Sequence, residues 1–348
     1  MEAQPNAARS ARRRVAPLVV VACALGLALL SGCDKGGTTI LVPPGGGVPP
    51  ADDFDWVRQI PPASNPLYGV YFVDSLRGWV VGSAGLILST RDAGATWHRM
   101  NPTTFDLRSV WFTSPADGWA VGAAGTVLAT SDSGATWTRV SVTAGEPLND
   151  VWFADASHGI IAGGSGYGVV LWTTDGGATW NRVTPPTGPL RSVTFPDLLD
   201  AYAVGDAGVI AGSHDGGKSW FKILPAITAQ NLRAVWGRSS VSNWAVGAAG
   251  TIAETAFGTD SVTWSLGTSA GASVQLEGVS FPAPTIGYAA GFNGSGVILR
   301  TDDAGTTWTP QPAASTSRLN AVFFADSLHG WAVGDNGTIR HTAHGGHE

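Results

Sequence analysis

Five aspartates stand in one short context: RDAGATW from Arg91, SDSGATW from Ser131, TDGGATW from Thr174, HDGGKSW from His214 and DDAGTTW from Asp302. A carboxylate in such a setting suits two kinds of chemistry. Asp92, Asp132, Asp175, Asp215 and Asp303 could act as acids or calcium ligands. Alternatively, each accepts backbone N–H groups inside a tight turn while the glycine relieves a left-handed position. Five equivalent copies cannot converge on one substrate, so turn stabilisation is expected. Other catalytic signals are missing: no G-x-S-x-G, H-E-x-x-H, P-loop or paired-cysteine motif occurs. Beyond the N-terminal region the glutamates are only Glu146, Glu254, Glu277 and Glu348. His341, His344 and His347 crowd the C-terminus, but a spacing of three does not suit one face of a strand. No catalytic residue, metal site or cofactor is therefore expected.

One cysteine carries a different chemistry. Arg9, Arg12, Arg13 and Arg14 precede an apolar run from Val15 to Leu30, and Ser31-Gly32-Cys33 follows directly. This resembles a bacterial lipoprotein signal, in which the cysteine is lipidated and becomes the mature N-terminus. A plain secretory signal or a membrane-spanning helix is the alternative, but the run falls short of the ~20 apolar residues that a span needs. Residues 1–32 are thus read as signal peptide. Residues 33–53 are read as the lipidated Cys33 and a tether in which Gly and Pro dominate. Cleavage before Cys33 leaves 25 acidic against 16 basic residues, a net charge of −9. That balance excludes a nucleic-acid binder with a basic face. The expected location is exported and lipid-anchored to the cell membrane or outer membrane, facing periplasm or exterior.

The elements that position these residues are legible as a repeat. Val70, Val110, Val151, Val193, Val235, Val279 and Val322 recur at steps of 40 to 44 residues. Each opens a short run such as VYF, VWF or VFF. About eight residues later comes GWVVG, GWAVG or a variant. A third run follows a glycine turn, and a fourth opens at the tryptophan of the aspartate motif. Four short strands per repeat, seven times, predict an all-β fold: a seven-bladed β-propeller of four-stranded blades over residues 54–348. Repeat seven ends without its fourth strand, while DWVRQI from Asp55 matches the fourth strands TWHRM and TWTRV. The strand around Trp56 is therefore expected to complete the last blade and close the ring.

The aspartate turns are the Asp-box, or BNR repeat. Together with L-R-x-V at Leu107, Leu190 and Leu232, which runs on to L-R-x-V-x-F at the first two, and with G-W-A-V-G, they resemble the photosystem II stability/assembly factor family of propellers. The resemblance covers residues 54–348. It implies a non-enzymatic, monomeric scaffold whose partner is a membrane protein or its assembly intermediate, bound through an arginine-rich face. A carbohydrate-binding or sialidase-like propeller is the alternative, since sialidases share Asp-boxes. Within this fold the residue after each blade-opening leucine is expected to ring one mouth of the central channel. These residues are Tyr68, Arg108, Asn149, Arg191, Arg233, Glu277 and Asn320. The three arginines suit carboxylate docking. They could equally pair with Asp206 or Asp150 and only prop the loops.

Overall fold

In the computed structural model the chain divides into two units, Met1–Pro49 and Pro50–Glu348. Residues 56–257, 262–313 and 315–346 are described, all in the second unit. The expected signal peptide, the expected lipidation site Cys33 and the expected tether lie outside the described residues.

Seven four-stranded antiparallel sheets form a ring, a β-propeller. Blade one is typical, with strands Leu67–Phe72, Gly78–Gly82, Ile87–Thr90 and His98–Met100. The innermost strands of successive blades touch, and Leu67–Phe72 also meets Leu319–Phe324 of blade seven. Blade seven takes Val57–Gln59 as its outer strand, with Val57 opposite His341 and Gln59 opposite Ile339. Trp56 is buried there against Phe324.

Aromatic pairs hold the blades to one another. The second-strand tryptophan lies face to face with the phenylalanine of the next blade. Trp331 and Phe72 stack at 3.4 Å between centroids, Trp79 and Phe112 at 3.5 Å, Trp244 and Phe281 at 3.6 Å. The Asp-box tryptophans Trp97, Trp137 and Trp308 then meet the same phenylalanines edge-on. Burying one such ring contributes about 1.5–3 kcal/mol. The close approach requires glycine: a Cβ at Gly78 would collide with the ring of Phe72.

The Asp-box serves this same contact. Asp132 accepts hydrogen bonds from the Thr130 hydroxyl (2.8 Å), the Thr136 N–H (2.8 Å) and the Thr136 hydroxyl (2.6 Å). These donors, the Thr136 hydroxyl foremost, pull its pKa down to about 2. The turn so held places Ala93, Ser133 and Ala304 at φ of 59°, 64° and 62°. In that left-handed position their carbonyls turn toward the preceding blade. Each accepts the indole N–H of its tryptophan: Trp331 on Ala93 (3.2 Å), Trp79 on Ser133 (3.2 Å) and Trp244 on Ala304 (2.8 Å).

Candidate functional site: the channel and its mouth

Every inner strand has a leucine as its first residue or, in blade six, its second (Leu276 after Gln275), and the strand register shifts just after it, as between Leu107 and Ser109 or Leu232 and Ala234. The same irregularity occurs in all seven blades. A bulge leaves one residue unpaired and re-aims its side chain. The bulged residues are Tyr68, Arg108, Asn149, Arg191, Arg233, Glu277 and Asn320, and all seven line one cavity of about 480 Å³ in the channel.

The seven are not equivalent. Asn149 and Asn320 donate to the leucine carbonyl of the next blade, Leu190 at 2.6 Å and Leu67 at 2.9 Å. Glu277 forms an ion pair with Arg318. Arg191 grips Asp206 with two bonds, Nε to Oδ1 at 3.0 Å and Nη2 to Oδ2 at 2.7 Å. That pairing holds the Asp206 carboxyl below its ordinary range and raises Arg191. Arg108 bonds only the neutral side-chain amide of Asn149. Burial and then the nearby charge of Arg191 push its pKa down. Arg233 Nε is buried without a hydrogen-bond partner. Two of the three arginines thus carry charge that no carboxylate grips.

Below the rim lies a waist of small residues: Gly69, Ser109, Asp150, Ser192, Ala234, Gly278 and Ala321. Small size is imposed by the neighbours, because a Cβ at Gly69 would stand 2.8 Å from the Arg108 carbonyl. Asp150 is the exception. Its Oδ1 accepts from Ser109 Oγ (2.7 Å) and Val151 N (2.9 Å), and its Oδ2 from Ser192 Oγ (2.7 Å) and Val193 N (3.0 Å). Ser192 Oγ in turn accepts from Val235 N at 3.1 Å, so one chain of bonds crosses four blades. What exposure Asp150 has is to the channel, and enclosure there outweighs the four donors and raises its pKa.

The floor is aromatic. Tyr71, Trp111, Trp152, Trp236 and Phe323 form a closed circuit, with centroid separations of 4.7, 4.3, 4.9, 6.0 and 4.8 Å in order around it. Burial pushes the Tyr71 phenol up to about 12. Blades four and six contribute Thr194 and Ser280 instead. Their hydroxyls accept the backbone N–H of Gly237 (2.8 Å) and Phe324 (3.3 Å) in the following blade. The circuit separates the cavity from a shallower hollow on the opposite face that contains Arg238.

The comparisons with known proteins bear on this architecture. Residues 48–149 match the family model "Photosynthesis system II assembly factor YCF48". The resemblance read from the repeats is thereby shown. No curated protein matches the chain. Among solved structures, YCF48 from Cyanidioschyzon merolae is 21% identical, covering 82% of this chain and 98% of its own, with a TM-score of 0.67. A structure described as YCF48 bound to D1 peptide is 21% identical, covers 87% and 99%, and has a TM-score of 0.69. The RRP9 WD40 repeats align at 7% identity over 83% and 97%, with a TM-score of 0.67, so that this geometry is reached from very different sequences.

The Asp-box carboxylates lie away from the channel, each inside its own turn. The sequence reading missed the aromatic floor and the role of Asp150. The floor residues were visible as the middle letter of VYF, VWF, VWG and VFF.

Proposed function

We propose that this chain is a non-enzymatic, membrane-tethered scaffold that docks a membrane protein or its assembly intermediate at the channel mouth. The carrying observation is the rim, where seven bulged residues converge and Arg108 and Arg233 keep charge that no carboxylate grips. Guanidinium groups at a solvent-facing mouth favour acidic side chains or a carboxylate terminus. The YCF48 described as bound to D1 peptide supports a peptide-binding role. A hydrolytic reading is disfavoured by the state of the cavity acids. Asp150 turns both carboxyl oxygens to four donors of the fold and Glu277 is paired with Arg318, so neither offers a substrate an unengaged oxygen.

The double variant Arg108→Ser/Arg233→Ser tests docking while sparing the Arg191–Asp206 pair. A photo-crosslinker at Asn320 of the wild-type protein is expected to trap a membrane protein in detergent-solubilised membranes. The double variant is expected to lose about tenfold or more of that product at an unchanged melting temperature. Equal crosslinking by a folded variant would move the docking surface elsewhere. The tether has its own test. Cys33→Ala is expected to leave the precursor uncleaved and unlabelled by palmitate, and normal labelling would remove the lipid anchor from this reading.

A further inference from the structure

The rim is accounted for by docking, but the cavity beneath it is blind, polar at one end and aromatic at the other. Its volume of about 480 Å³ is that of a small-ligand site. Its polarity runs in one direction. At depth, both Asp150 oxygens are engaged and Ser192 Oγ already donates and accepts, so a second anion would meet only a carboxylate there. At the rim, Arg233 lines the cavity with no ion pair to any described residue; its Nε is occluded, which leaves its terminal nitrogens to meet a ligand, and Glu277 and Asp206 are held by other arginines. Three residues further along the same strand as Arg233 stands Trp236, which meets Trp152 edge-on at 4.9 Å. Both indoles are only half-buried because they border the channel.

We propose that the cavity binds a small carboxylate carrying an aromatic ring, with the carboxylate on Arg233 in the field of Arg108 and the ring on Trp152 and Trp236. A planar fork matched to a carboxylate fixes the head group, and ring-on-ring packing fixes the tail. Two sources share this chemistry: a free aryl acid, and the C-terminal residue of a chain ending in an aromatic side chain. The second source rests on the docking reading above, and the first does not.

Titration calorimetry with 3-phenylpropionate and with N-acetyl-phenylalanine tests the site. Saturable binding is expected with a Kd of about 1 mM or tighter, which matches the affinity available to so few atoms. N-acetyl-phenylalaninamide, which lacks the carboxylate, is expected to bind at least about tenfold more weakly, and so is N-acetyl-phenylalanine to the variant Arg233→Gln. The variant Trp236→Leu, which keeps an apolar floor, is expected to weaken both acids. An acidic hexapeptide ending in Phe distinguishes the sources. Binding about tenfold or more above N-acetyl-phenylalanine assigns a chain terminus, and equal or weaker binding assigns the free acid. No saturation by either acid up to about 10 mM would overturn the site. So would equal binding of the amide, or full affinity in a folded Arg233→Gln. If the probes fail while Arg108→Ser/Arg233→Ser still loses its crosslinked partner, the cavity proposal falls and the docking reading stands.

Discussion

Deletion of residues 53–60 is expected to abolish cooperative unfolding and turn the protein into an aggregating species. Val57–Gln59 covers the outer edge of Thr338–Thr342, the third strand of blade seven. Without it, that strand presents unpaired N–H and C=O groups to any other chain. The deletion also removes Trp56, which fills a cluster with Tyr288, Leu319, Phe324 and Ala332 between blades six and seven. Truncating one buried tryptophan costs about 3–5 kcal/mol by itself. Gln59 adds a tie to blade one, its Nε2 donating to the Ala93 carbonyl at 2.6 Å. The C-terminal turn does not substitute for these contacts. It is held from blade six, where the Tyr288 hydroxyl donates to the Gly345 carbonyl at 2.7 Å and Arg300 donates to the same oxygen. Calorimetry and size-exclusion chromatography read the result, with Trp56→Ala as the milder arm. A monomeric deletion product with the wild-type melting temperature would show that blade seven is stable without its fourth strand.

The blades were legible because their anchors are local. Val70 and its six counterparts, the G-W-A-V-G runs and the Asp-box turns each report a short-range demand on backbone or packing, and seven copies outweigh any single lapse. Blade seven could be closed on paper because Trp56 fits the fourth-strand pattern with no repeat of its own. The position of the rim was legible for the same reason, since a fixed offset from the leucine places every bulged residue. Its charge state was legible only in part: Asp206 stands fifteen residues after Arg191 and pairs with it, whereas the same offset from Arg233 and Arg108 gives Ala248 and Ala123. The floor stayed hidden. Trp111 and Phe112 are adjacent aromatic letters, yet one faces the channel and the other packs against Trp79. Alternation along a strand tells two faces apart, but not a channel from a core when both are lined by apolar rings. Asp150 was the hardest case, because its partners Ser109 and Ser192 come from other blades at separations of 41 and 42 residues.

Asp150→Ala is expected to lower the stability of the propeller by about 3 kcal/mol, a drop of about 5 °C in melting temperature for a domain of this size. The carboxylate accepts from four donors on three blades. Removing it leaves the Val193 N–H without an acceptor and the Val151 N–H with only a long 3.4 Å bond to Ser109 Oγ, and an unmet buried donor costs about 1–3 kcal/mol. The serine hydroxyls can turn toward the channel and recover part of their loss. The same residue has a pH signature of a particular sign. Burial raises its pKa above the ordinary 3.8, so the native chain holds a proton that the unfolded chain has lost. Its contribution to stability is therefore complete below 3.8 and is lost as pH rises through the raised native value. Asp132 and Asp175 act in the opposite sense. Their threonine donors hold them at about 2, so their contribution is present above 3.8 and is lost as pH falls through about 2. Wild-type melting temperature is thus expected to climb as pH falls from neutrality toward 4, then to drop below it. In Asp150→Asn, which cannot titrate, the climb is expected to shrink while the acid drop persists. A constant difference between variant and wild type from pH 7 to pH 3 would show that Asp150 does not take up a proton in the native channel.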